Sequence, residues 1–247
     1  MGIDESLTDR VAIVTGASGG IGRAVAARLA GEGAAVALAY GNTAEPAEEL
    51  AQRIVREGGR AVAIAADMRS AQAPLELVDA AESELGAVDV LVAAAGRGEQ
   101  RSLEELGVEE FDLTLAVNLR APFLLAQRVL PGMRERGFGR ILFISSVAAF
   151  TGGIVGPHYA ASKAGLHGLT HFLASRAAAD GITVNALAPA LITDTRMLPG
   201  EPEELRERVP VRRLGKPEEV ADLALAILRN PYMTNQVVSI DGGMHPR

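Results

Sequence analysis

Seven short apolar runs, spaced along the chain with helix-like segments between them, constrain the fold more than any other feature. They are "VAIVTG" (11–16), "AAVALAY" (34–40), "AVAIAAD" (61–67), "VDVLVAAAG" (88–96), "RILFISS" (140–146), "GITVNALA" (181–188) and "VVSIDG" (237–242). Apolarity in these runs is nearly continuous rather than alternating, as expected of strands covered on both faces. Between them, "GRAVAARLAGEG", "EPAEELAQRIVREGG" and "PEEVADLALAILRNP" carry helical periodicity. Pro46 and Pro217 suit first helical turns, while Gly58-Gly59 and Pro231 mark stops. This alternation predicts an α/β fold: a doubly wound parallel sheet of about seven strands with helices on both faces. No internal repeat or linker divides the 247 residues, so a single domain is expected.

Charge and composition narrow the partners. A net charge of -7 disfavours nucleic acid and anionic membranes, neither of which attracts an acidic surface. The absence of cysteine removes disulfides and thiolate metal sites and fits a reducing compartment. The start "MGIDESLTDR" is polar and acidic, unlike a signal peptide, and no apolar run reaches the about 20 residues that span a bilayer. A soluble cytoplasmic protein is the expectation. The carboxylate pairs Glu48-Glu49, Glu104-Glu105, Glu109-Glu110, Glu203-Glu204 and Glu218-Glu219 invite a catalytic reading. Adjacent helical residues do not face each other, and acidic residues near helix starts suit the dipole, so these pairs read as ordinary surface. His167 and His171 share a helical face but lack the intervening glutamate of a zinc protease; no metal is expected.

The first apolar run leads directly into "TGASGGIGRAVA" (15–26). Gly16, Gly20 and Gly22 permit a tight turn and close approach of a ligand, and the helix that follows offers unpaired amides to a pyrophosphate. A glycine-rich strand-to-helix turn also occurs without a ligand, and the spacing G-x-x-x-G-x-G differs from the generic G-x-G-x-x-G. Further on, "YAASKAGL" sets Tyr159 and Lys163 four residues apart, hence on one helical face. A phenol titrates near about 10, and a neighbouring cation would lower that value by stabilising the phenolate.

Thr15-Gly16-x-x-x-Gly20-x-Gly22, Asn118 in "LAVNLRAPF", Ser146 in "ISSVA" and Tyr159-x-x-x-Lys163 together resemble the short-chain dehydrogenase/reductase family, in order and spacing, from Arg10 to the closing "SIDGGM". The family places its serine thirteen residues before its tyrosine, which selects Ser146 over Ser145. The resemblance implies a Rossmann domain that moves hydride between a nicotinamide and a carbonyl carbon, with a proton delivered to the oxygen. It implies catalytic roles for Asn118, Ser146, Tyr159 and Lys163. Tyr159 would exchange the proton, Ser146 would orient the substrate oxygen, and Lys163 would also hold the nicotinamide ribose. Asn118 would hold a water that links Lys163 to solvent. The dinucleotide itself would lie on Gly16, Ala17, Ser18, Gly19, Gly20, Ile21 and Gly22. Its adenosine half would meet Tyr40, Asn42, Thr43, Asp67 and Met68, and its nicotinamide half Ala94, Gly96, Tyr159, Lys163, Pro189 and Ile192.

An acidic residue after the second strand would favour NAD(H) by binding both ribose hydroxyls and repelling a 2′-phosphate. Tyr40 stands there instead, so NADP(H) is favoured over NAD(H), although Gly19 and Gly41 occupy positions that are often basic in NADP-using relatives. Residues 93–96 read "AAAG" where the family often has asparagines that tie strands together, which questions the support of the cofactor floor. A family threonine that meets the nicotinamide amide aligns with Asp194, between Thr193 and Thr195. Overall the chain is most similar to 3-oxoacyl-thioester reductases of the acyl-carrier-protein type. Asp180, however, replaces a basic carrier-docking residue, so a free acyl-CoA or a small ketone stays open. Residues 190–210 should form a short substrate lid, with Arg97, His158 and Ile154 candidates for the mouth; an arginine there is also commonly just solvated. The resemblance implies a homotetramer or homodimer through helices around 108–136 and 157–178 and the last strand. Two alternatives stand beside the reductase: an NAD(P)-dependent dehydrogenase of a sugar, steroid or other secondary alcohol, and a nucleotide sensor without turnover.

Overall fold

The computed structural model describes residues 6–195, 198 and 202–245. Its seven strands are β1 (Val11–Thr15), β2 (Ala35–Tyr40), β3 (Ala61–Ala65), β4 (Val90–Ala93), β5 (Gly139–Ile144), β6 (Ile182–Pro189) and β7 (Val237–Ile240). They form one sheet in the order β3-β2-β1-β4-β5-β6-β7, every pair parallel. All seven coincide with the seven apolar runs. Continuous apolarity follows from helices on both faces: one core cluster packs Ile13, Leu91 and Phe143, the other Val14, Val92 and Leu142. Successive residues of one strand thus feed opposite cores.

Helices α1 (Gly20–Gly31), α2 (Glu45–Arg56) and α3 (Ala73–Leu85) connect the first four strands. Between β4 and β5 run α4 (Val108–Leu115) and α5 (Ala121–Arg136), joined by a π-turn over Ala116–Arg120. The short α6 (Ala148–Thr151) and the long α7 (Pro157–Ala177) lead to β6; α8 (Pro202–Glu207) and α9 (Pro217–Arg229) lead to β7. Strand order reverses between β1 and β4, which opens a crevice at the carboxyl ends of these strands, the usual ligand site of such sheets. Pro46 and Pro217 do fall in first helical turns. Of the carboxylate pairs, Glu104-Glu105 lies in a turn, where Glu105 bonds Ser102. Among the described residues no helix is long and apolar enough to cross a membrane.

Candidate active site

The loop after β1 enters the crevice with Gly16 at φ +69, a conformation that L side chains rarely adopt. A Cβ on Gly22 would stand 2.3 Å from the Gly16 carbonyl oxygen, and one on Gly20 2.5 Å from that of Asp194. Glycine at 16, 20 and 22 is therefore needed to close the turn. No side chain caps α1, so the amides that open it keep their bonding capacity for an anion. Beside them lies a cavity of about 520 Å³, walled by Gly16, Ser18, Gly19, Gly20, Ile21, Gly22, Tyr40, Asn42, Asp67, Met68, Ala94 and Gly96. An elongated phosphate-bearing nucleotide fits this donor set. Of the other residues anticipated there, Ala17 is fully buried behind the loop and Thr43 lies outside the wall, while Pro189 and Ile192 line a neighbouring cavity.

Thr15 answers the question raised by the missing asparagines. Its Oγ1 accepts from the amides of Ala94 (3.1 Å) and Ala95 (2.9 Å), tying the end of β1 to the end of β4. Asp67, at the adenosine end, takes Nε and Nη2 of Arg69, the latter at 2.6 Å. That pair holds the Asp67 carboxyl below its usual range, with burial opposing.

The second cavity, of about 400 Å³, shares Ile21, Ala94 and Thr195 with the first. Ser146, Tyr159 and Lys163 lie in its wall. Tyr159 comes from the first turn of α7 and is 7 % exposed; Gly98 packs against its ring so closely that a Cβ there would come 2.7 Å from Cδ2. Burial pushes the Tyr159 phenol up, and a hydrogen bond with Ser146 opposes this. Lys163 is 3 % exposed; its Nζ donates to the Ile144 carbonyl at 2.7 Å and lies 5.8 Å from the centre of the Tyr159 ring. Burial pushes its ammonium down to about 8. Lys163 is the cation anticipated to strengthen the Tyr159 acid; on the phenol itself burial is the larger influence here.

Asn118 sits in the π-turn, fully buried. Its Oδ1 accepts from the Arg97 amide (2.8 Å), and Nδ2 donates to the Arg97 carbonyl (2.8 Å) and to Ser162 Oγ (2.9 Å). Ser162 Oγ in turn donates to the Tyr159 carbonyl at 2.8 Å. The asparagine therefore braces the loop after β4 against α7, and both its amide hydrogens are spent on protein. Thr195, rather than Thr193, reaches the junction of the two cavities, with Oγ1 donating to the Ile192 carbonyl at 2.9 Å.

The anticipated mouth is realised in part. Ile154 lines the second cavity and is 41 % exposed. His158, by contrast, is wholly buried, with Nε2 4.0 Å from Glu110 Oε1, because α7 packs one side onto α4. Arg97 lines the first cavity, and its guanidinium is held by Glu110 at 2.8 Å rather than simply solvated. His167 Nε2 lies 2.8 Å from Ser145 Oγ, and His171 Nδ1 2.6 Å from Asn235 Oδ1. Of the anticipated lid, α8 and the turn that follows it are seen, while residues 196, 197 and 199–201 lie outside the described set. Ser162, Gly98 and the strand-tying role of Thr15 escaped the sequence reading, since each acts through a contact that only the fold creates.

A strand-to-helix glycine turn at the sheet's switch point, feeding a cavity walled by serine, tyrosine and lysine, defines a nicotinamide-dependent oxidoreductase of the short-chain type. Residues 10–205 match the family model for short chain dehydrogenase, and the chain belongs to that family. It is 36 % identical to a 3-oxoacyl-[acyl-carrier-protein] reductase of Synechocystis sp., across 97 % of this chain and 98 % of that relative. It is 37 % identical to a cis-4-hydroxycyclohexanecarboxylate dehydrogenase of Sinomonas cyclohexanicum, with 97 % and 98 % covered. Among solved structures it resembles a blue fluorescent protein from a metagenomic library in complex with NADPH. That match has a TM-score of 0.91 and 36 % identity, covering 98 % of this chain and all of that one.

Proposed function

We propose that the chain is an NADP(H)-dependent reductase of 3-oxoacyl thioesters. The observation that carries this reading is the convergence of Ser146, Tyr159 and Lys163 in the wall of a largely apolar cavity that adjoins the glycine-turn cleft. A nicotinamide dinucleotide, held in the first cavity by the glycine turn, would supply the hydride. Ser146 Oγ donates to the substrate carbonyl oxygen and fixes its orientation, and Tyr159 gives that oxygen its proton as charge develops there. Lys163, mostly protonated below pH 8, offsets the charge left on the phenol and binds the nicotinamide ribose. Asn118 positions α7, which carries Tyr159 and Lys163, against the loop after β4. Tyr40, in place of a carboxylate, supports NADP(H) over NAD(H). Asp180, whose carboxylate takes Arg134 Nε at 2.9 Å, weakens the basic patch that a carrier protein would need, which supports a free acyl-CoA over an acyl carrier.

A second reading, a dehydrogenase of a cyclic secondary alcohol, is supported by the Sinomonas relative and uses the same residues in reverse. The intact serine, tyrosine and lysine argue against a nucleotide sensor. Exposed Phe123 on α5 and Phe172 on α7, together with the open edge of β7, support a homotetramer or homodimer. The acidic, cysteine-free composition supports a cytoplasmic location. The deciding assay is initial-rate oxidation of NADPH, beside NADH, with acetoacetyl-CoA. We expect turnover that favours NADPH and falls about a hundredfold or more in Tyr159→Phe. No turnover with either nucleotide would refute the thioester reading.

A further inference from the structure

The cavity beside Tyr159 is lined almost entirely by apolar and small side chains, among them Ile154, Val155, Leu191, Leu198 and Met244, and among the described residues no carboxylate reaches its wall. Among the described residues its two charged ones are both cations. Lys163 is committed to the Ile144 carbonyl and the proton chemistry. The other is Arg208, at the rim, on the turn that follows α8.

Arg208 is the arginine of this segment without a partner among the described residues. Arg206 pairs with Glu203, Arg212 donates to the Glu207 carbonyl, and Arg213 clasps Glu219 at 2.6 Å. Its position is also fixed. Leu205 and Val209, on either side of it, are 3 % and 2 % exposed and pack with Leu214, and the Arg208 amide donates to the Leu205 carbonyl at 3.2 Å. The closing loop supports the turn from behind, since the Val211 amide donates to the Gly242 carbonyl. A guanidinium at the rim of an apolar pocket, exposed and without a partner among the described residues, in a protein of net charge -7, suits an anionic oxygen group as a planar fork.

We propose that Arg208 is a specificity residue that binds an anionic oxygen group of the substrate in the cavity it lines with Tyr159. This deepens the oxidoreductase reading and rests on it for the word substrate. The substrate class is then a carbonyl or alcohol with a compact apolar body and an anion at its far end. The anion is either a carboxylate of the substrate itself or the phosphate of a thioester's pantetheine arm.

Binding of unreactive ligands separates this from the question of turnover. Ligand-observed NMR titrations, with NADP⁺ present, would compare cyclohexanecarboxylate with cyclohexanecarboxamide, and 4′-phosphopantetheine with pantetheine. In the parent protein we expect the anion of at least one pair to bind about five- to tenfold more tightly than its neutral partner. Arg208→Met should abolish that preference and Arg208→Lys should restore part of it. Loss in the first pair identifies a carboxylate, loss in the second a phosphate. No anion preference in the parent, or a preference unchanged in Arg208→Met, would overturn the assignment. Failure of NADPH oxidation with every ketone would instead count against the reductase reading, and leaves these titrations interpretable.

Discussion

Replacing Lys163 by methionine keeps most of the side-chain volume and removes a charge that the fold has taken out of water. The ammonium falls from 10.5 in the free side chain to about 8 in the folded protein, with burial as the cause. Below both values the folded state therefore carries a charge it disfavours, at a cost of about 3 kcal/mol. Between pH 8 and 10.5 the unfolded chain holds a proton that the folded chain has released. Stability of the parent therefore rises with pH across this window. The methionine variant has no such group, so the stability difference, parent minus variant, should rise by about 2 kcal/mol from pH 7 to pH 9.5. The variant also loses the bond from Nζ to the Ile144 carbonyl, which costs about 1–3 kcal/mol. That loss shifts the whole curve without changing its slope. Urea melts followed by far-UV circular dichroism, at one protomer concentration, measure both curves. Parallel curves would show that Lys163 is hydrated in the folded state, and the reasoning about its charge would fail.

Thr15→Val should destabilise the fold by about 1–3 kcal/mol, because the amides of Ala94 and Ala95 lose their shared acceptor; urea melts would show it as a lower midpoint at equal slope. Gly22→Ala forces a Cβ to within 2.3 Å of the Gly16 carbonyl oxygen, so the phosphate turn must shift. Calorimetric titration with 2′,5′-ADP should show affinity reduced about tenfold or more. Tyr40→Asp introduces a carboxylate at the adenosine end of the cleft, and the ratio of 2′,5′-ADP to 5′-ADP affinity should fall about tenfold through repulsion of the 2′-phosphate.

The frame was legible because each strand is covered on both faces, so apolarity runs unbroken through it and marks its place without help from tertiary contacts. The phosphate turn was legible for a related reason: a positive φ at residue 16 and backbone contact at residue 22 admit little besides glycine, so the geometry is written in composition. Ser146, Tyr159 and Lys163 were reachable through fixed spacing, since the pair on α7 shares a face whatever surrounds it. What surrounds it could not be read. α7 packs against α4 and the π-turn on one side and β6 on the other, so His158 goes inward although it directly precedes Tyr159. The π-turn has no compositional mark, yet it carries Asn118 into contact with Arg97 and Ser162. The direction of the Tyr159 shift depends on the same surroundings. Spacing puts a cation near the phenol, but only the packing of Gly98, Val155 and Ala148 around the ring takes it out of water, an effect larger than that of its hydrogen bond with Ser146. A motif can therefore name the groups that meet in one cavity, while what acts on their acidity is a property of the folded surroundings.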